Sequence, residues 1–96
     1  MNGLTKVAVL DVLKSQSPGI EEYGKEISQI EGVDTVNITV IEIDAKTETL
    51  KVSLQGENIK LDEIRKKIKE LGGSIHSVDK IIASKKNLKD AIFHDS

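Results

Sequence analysis

The 96-residue chain has no cysteine and no tryptophan. Without thiols there can be no disulfide framework, no thiolate metal site and no cysteine nucleophile. The aromatics are reduced to Tyr23 and Phe93, so the core must come from Val, Ile and Leu, which favour strands. Neither sign of charge dominates: 14 Lys and Arg stand against 16 Asp and Glu, a net charge of −2. No global field therefore attracts nucleic acid or an anionic membrane. No apolar run approaches the roughly 20 residues that span a bilayer. The start, Met1 to Lys6, lacks the charged, apolar and cleavage regions of a signal peptide, and a cytoplasmic protein is expected. Abundant Lys, Glu and Ile with one Met and no Cys suggest a thermophile.

What is present is one domain's worth of alternating apolar pattern. Leu4 to Lys14 reads as a strand with apolar residues on both faces: Val7, Val9 and Leu13 on one, Leu4, Ala8, Leu10 and Val12 on the other. Ser17 and Pro18 read as the N-cap and first residue of a helix running to about Glu31, with Ile20, Tyr23, Ile27 and Ile30 at helical spacing. Gly24 inside that helix suggests close packing on the sheet, and Gly32 ends it. Val33 to Asp44 and Thr49 to Gln55 form a hairpin about the turn Asp44–Thr47. A second helix spans about Leu61 to Leu71, with Asp62 and Glu63 in its first turn and lysines later, and Gly72-Gly73 stops it. Ser74 to Ala83 is the last strand. The order predicts an α+β, ferredoxin-like βαββαβ sandwich, a four-stranded antiparallel sheet with two helices on one face. The domain covers 1–84 and a polar tail 85–96, with a short helix expected around Asn87 to Phe93. His94, in that tail, reads as solvated.

In this topology one sheet face is bare. The second face of the first strand, Ile41, Ile43 and one face of Ile75 to Ala83 would make that bare face apolar. The second strand is an edge without Pro or an interrupting Lys. Exposed edges and apolar faces are normally covered, and a chain this short buries only about 60–65% of its unfolded surface. Self-association into a homo-oligomer is the expected answer.

The same topology gathers polar residues at one end of the sheet. Asp11, Glu42, Asp44, Glu48 and His76 should lie there, with Asp79 a little farther along the last strand. Carboxylate oxygens suit a divalent cation such as Ca²⁺ or Mg²⁺, and the imidazole would admit Zn²⁺ or Ni²⁺. Asp11, Glu42, Asp44, His76 and Asp79 are therefore the candidate metal ligands. Against this, Asp44 is an ordinary turn residue, Glu48 is open to solvent and Asp11 has lysines to pair with. Alternation places His76 on the opposite face from Ser77 and Asp79, which favours a hydrogen-bonded structural histidine over a catalytic one.

Other chemistries lack their residues. Base-stacking aromatics are missing from the first and third strands. No Cys-x-x-Cys follows the first strand, and the one arginine, Arg65, is on the second helix rather than in a phosphate-cradling loop. No Gly-x-Ser-x-Gly elbow, P-loop or dinucleotide fingerprint occurs.

Three stretches carry a family likeness: Val9-Leu10-Asp11-Val12-Leu13-Lys14 with Pro18, Gly32 to Asp44 with Thr47-Glu48 and Lys51-Val52, and Gly72-Gly73-Ser74-Ile75-His76-Ser77-Val78-Asp79. Together they resemble the archaeal family called domain of unknown function 211. The resemblance implies a ferredoxin-like fold, an archaeal source and a ring-like or other oligomer. It supplies no catalytic residues. Its recurring motif positions fall on Asp11, Asn37, Glu42, Asp44, His76 and Asp79. Lys60 departs from the acidic helix cap that the resemblance implies.

The sequence thus points to a homo-oligomeric module binding a metal ion or small polar ligand, by fold analogy with ACT-type regulatory domains. An adaptor binding another chain through its open face and edge strand is the second reading, and a metal-dependent enzyme the third.

Overall fold

The computed structural model describes residues 3–86. In chain order the elements are β1 (Leu4–Ser15), α1 (Ile20–Ser28), β2 (Thr35–Ile43), β3 (Thr47–Gln55), α2 (Leu61–Glu70) and β4 (Gly73–Ser84). One sheet has the order β2-β3-β1-β4, with every neighbouring pair antiparallel. The helix α1 joins β1 to β2 past β3, and α2 joins β3 to β4 past β1. Both cover the same face, giving the expected ferredoxin-like sandwich.

Alternation on the central strands builds the core. Ala8, Leu10 and Val12 of β1 and Leu50, Val52 and Leu54 of β3 are buried beneath Tyr23 and Ile27 of α1 and Ile64 and Ile68 of α2. Val33 and Ile59 complete the cluster from the loops. Tyr23 is the single large aromatic in it among the described residues; its hydroxyl donates to the Leu71 carbonyl at 3.0 Å, and burial pushes its pKa above the ordinary 10.0. Gly73 fits beneath that hydroxyl, since a Cβ there would lie 2.7 Å from it.

Several expectations are corrected. The first helix begins at Ile20, not Pro18, and Gly19 occupies its N-cap position without a side-chain cap bond. The preceding segment is already committed: Ser15 Oγ donates to the Ser17 carbonyl at 3.0 Å, and Gln16 Nε2 donates to the Ala45 carbonyl at 2.6 Å. The helix ends at Ser28, and a turn leads to Gly32, whose φ of +96° is left-handed. Gly32 also lies against the Asn58 carbonyl, where a Cβ could not fit. Gly24 is different: a Cβ there would stand an ordinary 3.8 Å from Ile38, so nothing in its surroundings requires glycine. The tail from Asn87, with its expected short helix and His94, lies outside the described residues.

The apolar surface is also distributed differently from expectation. Val78 is paired with Leu10 and Ile81 with Ala8, so both point to the helix-covered side. They are nevertheless 40% and 44% exposed, because they stand on the outer strand. Ile43, opposite Glu48, is on that side too and is 67% exposed. The bare face carries the polar Thr35, Asn37, Thr39, Lys51, Ser53 and Lys80, with Val7, Val9 and Ile82 half-buried among them and Leu13 exposed. Exposed apolar area therefore collects mainly at the two edge strands, and on the bare face it centres on Leu13 of β1, which is 42% exposed.

Candidate functional site

The predicted residues separate into three groups. Asp11 and His76 come together, lining with Leu13 and Thr49 a shallow cavity of about 270 Å³ on the bare face. Asp79 lies beside it in a polar chain: Ser77 Oγ donates to Asp79 Oδ1 at 2.7 Å, and Asp79 Oδ2 is 3.6 Å from Lys51 Nζ. Glu42, near the end of β2, is paired with Thr49 and so stands beside the cavity without lining it, and Asp44 is in the hairpin turn. The outer strands β2 and β4 are separated by three interstrand spacings, about 14 Å. Among the described residues, no three His, Cys, Asp or Glu side chains gather closely enough to hold a metal ion.

Irregularities in the β1–β4 ladder shape this site. Asp11 pairs with Ser77 but Val12 with Ile75, and Val9 pairs with Lys80 but Leu10 with Val78. His76 and Asp79 are therefore extra residues on β4, and each bulge resets the alternation. The expected separation of His76 from Ser77 and Asp79 is thereby overturned. His76 shares a cavity with Asp11, Ser77 stands opposite Asp11, and Asp79 reaches Lys51, all on the bare face. The Ser77 hydroxyl is donated to Asp79 rather than to an imidazole.

Glu48 also departs from expectation. It is not solvated in a carboxylate cluster but accepts from Lys14 Nζ at 3.0 Å on the helix side. The ammonium also donates to the carbonyls of Ser15 at 2.8 Å and Gln16 at 3.2 Å, and it lies 5.4 Å from the centre of the Tyr23 ring. A similar arrangement holds the other end of β1, where Lys6 Nζ donates to the Glu57 carboxylate at 2.9 Å and carbonyl at 3.0 Å. Both lysines are buried on the core side of β1. Their signal was in the pattern, since Lys6 and Lys14 share parity with Ala8, Leu10 and Val12. Leu13 and Thr49 were likewise absent from the predicted site; the β1–β3 register pairs them.

A second hollow lies between the helices, lined by Ile30, Glu63, Lys66, Lys67 and Glu70. Lys67 spans it, 3.3 Å from Glu70 and 3.5 Å from Glu26, and these carboxylates, Glu70 foremost, raise the lysine above its ordinary pKa. Its walls are long, partly solvated side chains already paired with one another. The bare-face cavity instead stands on the backbone of three strands and combines an acid, an imidazole, a hydroxyl and an apolar side chain.

Fold and site together define a ferredoxin-like domain with a small depression of mixed polar and apolar lining on its uncovered sheet face. The chain belongs to the family of uncharacterised ArCR proteins, domain of unknown function 211, whose family model matches residues 6–94. It is also 43% identical over 90 residues to an uncharacterised protein of the archaeon Methanocaldococcus jannaschii, covering 94% of this chain and 92% of that one. The likeness seen in the Gly72–Asp79 stretch and the two others is thus borne out. No helix among the described residues is long and apolar enough to cross a membrane.

Proposed function

We propose that the protein is a homo-oligomeric, regulatory binding module that takes a small polar ligand on its bare sheet face. The observation that carries this reading is the cavity shared by Asp11, His76, Thr49 and Leu13. Asp11 would accept hydrogen bonds from the ligand, His76 and Thr49 would donate or accept, and Leu13 would pack against its carbon skeleton. The volume is below the usual 300–1,000 Å³ of drug-sized sites, which suits a ligand of a few heavy atoms. A divalent cation would find two of its usual ligand types here, Asp11 and His76, with water completing its shell.

Thermal unfolding against Ca²⁺, Mg²⁺, Mn²⁺, Zn²⁺ and a panel of small amines, amides and carboxylates tests this. A ligand at 100 times its dissociation constant adds about 2.7 kcal/mol, a shift of several degrees in a domain of this size. The expected result is one such shift, abolished by Asp11→Asn and by His76→Ala. A shift from a cation alone would make the module a metal binder. No shift, or one that both variants leave intact, would overturn the reading.

A further inference from the structure

We infer that the ligand taken by the bare-face cavity is a small ammonium ion carrying a short apolar chain, whether a free alkylamine or the end of a lysine side chain. The inference rests on the binding reading above and names the chemical class that the lining fits.

Charge gives the sign. Asp11 is half-buried, and its cross-strand neighbour Lys51 does not neutralise it, lying instead 3.6 Å from Asp79. Among the described residues Asp11 enters no ion pair. A second acid stands at the rim, because Thr49 is paired on its other side with Glu42. With Lys51 and Asp79 offsetting each other, Asp11 and Glu42 set the sign beside the cavity. The lining has no lysine or arginine, the side chains that ordinarily hold a carboxylate or phosphate, so an anion would meet Asp11 without a counter-charge.

Hydrogen bonding gives the head group. An alkylammonium has three donors and no acceptor. The lining offers three acceptors around one hollow: the Asp11 carboxylate, the Thr49 hydroxyl and, when the imidazole is neutral, one ring nitrogen of His76. A neutral alcohol or amide would leave the charge of Asp11 unanswered. A metal ion would have two protein ligands at most, since no third His, Asp or Glu gathers closely among the described residues.

Leu13 gives the tail. It stands in one row with Thr49 and Ser74 and is 42% exposed. The extra residue of the β2 bulge, Ile41, comes just before Glu42 at the far end of that row and is 57% exposed. A short carbon chain leaving the ammonium therefore has apolar surface to cover. The cavity, shallow and of about 270 Å³, holds a few carbons and no more.

Titrations of the full chain followed by two-dimensional amide NMR test the class. Butylamine, butanol and butyrate share a skeleton and differ in the head group; methylamine shortens the tail. The expected result is that butylamine moves the amide signals of Leu13, Thr49 and His76 and binds at least about tenfold tighter than butanol or butyrate. Each methylene between methylamine and butylamine should tighten binding by up to about fourfold. Asp11→Asn should weaken butylamine about tenfold or more, and Leu13→Ser should remove the gain with chain length. The probe series on the unaltered protein decides the class even where a variant fails to fold. Nα-acetyl-lysine methylamide separates the two sources: tighter binding than butylamine assigns the cavity to a lysine side chain, looser binding to a free amine, and either order upholds the class. Butanol or butyrate binding as tightly as butylamine, or an Asp11→Asn variant that is folded and binds butylamine unchanged, would overturn it while leaving the ligand reading standing. No response to any amine, with a thermal shift from another compound of the wider panel, would do the same. No response to any compound would overturn both.

Discussion

At the scale of single residues, the main feature is a pair of lysines at the ends of the most buried strand. Lys14 is fully covered, yet its ammonium is satisfied by one carboxylate and two carbonyls, and its stem packs beside Tyr23. Glu48, its partner, keeps 19% of its side chain exposed. The two members therefore differ in what happens when one is removed. Glu48→Ala leaves a buried ammonium short of its counter-charge and is expected to destabilise the fold by about 2–3 kcal/mol. Lys14→Met replaces the buried charge with an apolar chain of similar length and leaves Glu48 free to turn to solvent, so its cost should be under about 1.5 kcal/mol. Denaturant midpoints of the two variants check the asymmetry; equal losses would refute it.

At the scale of elements, the helices are held by their apolar stripes more than by their ends. Neither α1 nor α2 has a side-chain cap at its N-terminus: Gly19 and Lys60 occupy those positions. Lys60 also puts a positive charge at the positive end of the helix dipole. Lys60→Asp should therefore stabilise the protein by about 1 kcal/mol, from a cap bond and a favourable charge together. A rise of several degrees in thermal midpoint is the expected outcome, and no rise would mean that neighbouring contacts already satisfy the first turn. The elements were largely legible because periods of 2 and 3.6 are strong in Thr49–Gln55 and in Leu61–Leu71. The start of α1 was misplaced for a local reason. Ser17 and Pro18 have the chemistry of a helix start, but Gln16 and Lys14 hold the preceding backbone against the hairpin turn, which no local pattern records.

At the scale of the whole molecule, a small core supports a thin margin, and apolar side chains remain exposed at both sheet edges, Ile41 and Ile43 at one and Val78 and Ile81 at the other. Mass action then links stability to association, since an assembly that exists only in the folded state stabilises it. The thermal midpoint should rise as protein concentration increases over a hundredfold range, by scanning calorimetry or circular dichroism. A midpoint independent of concentration would count against self-association.

The order of strands and helices, the core stripes and the family followed from the sequence alone, because alternation, turn chemistry and the Gly72–Asp79 motif are local properties of the chain. The site was only half legible. Asp11 and His76 were foreseen, yet Glu42 stands one strand away, paired with Thr49, without lining the cavity, Asp44 is in the hairpin turn, and Glu48 was drawn to the other face by Lys14. Where β4 bulges was decided by its pairing with β1. Each bulge shifts the two-residue alternation by one, so the face on which His76 and Asp79 emerge depends on a neighbouring strand that sequence periodicity cannot see.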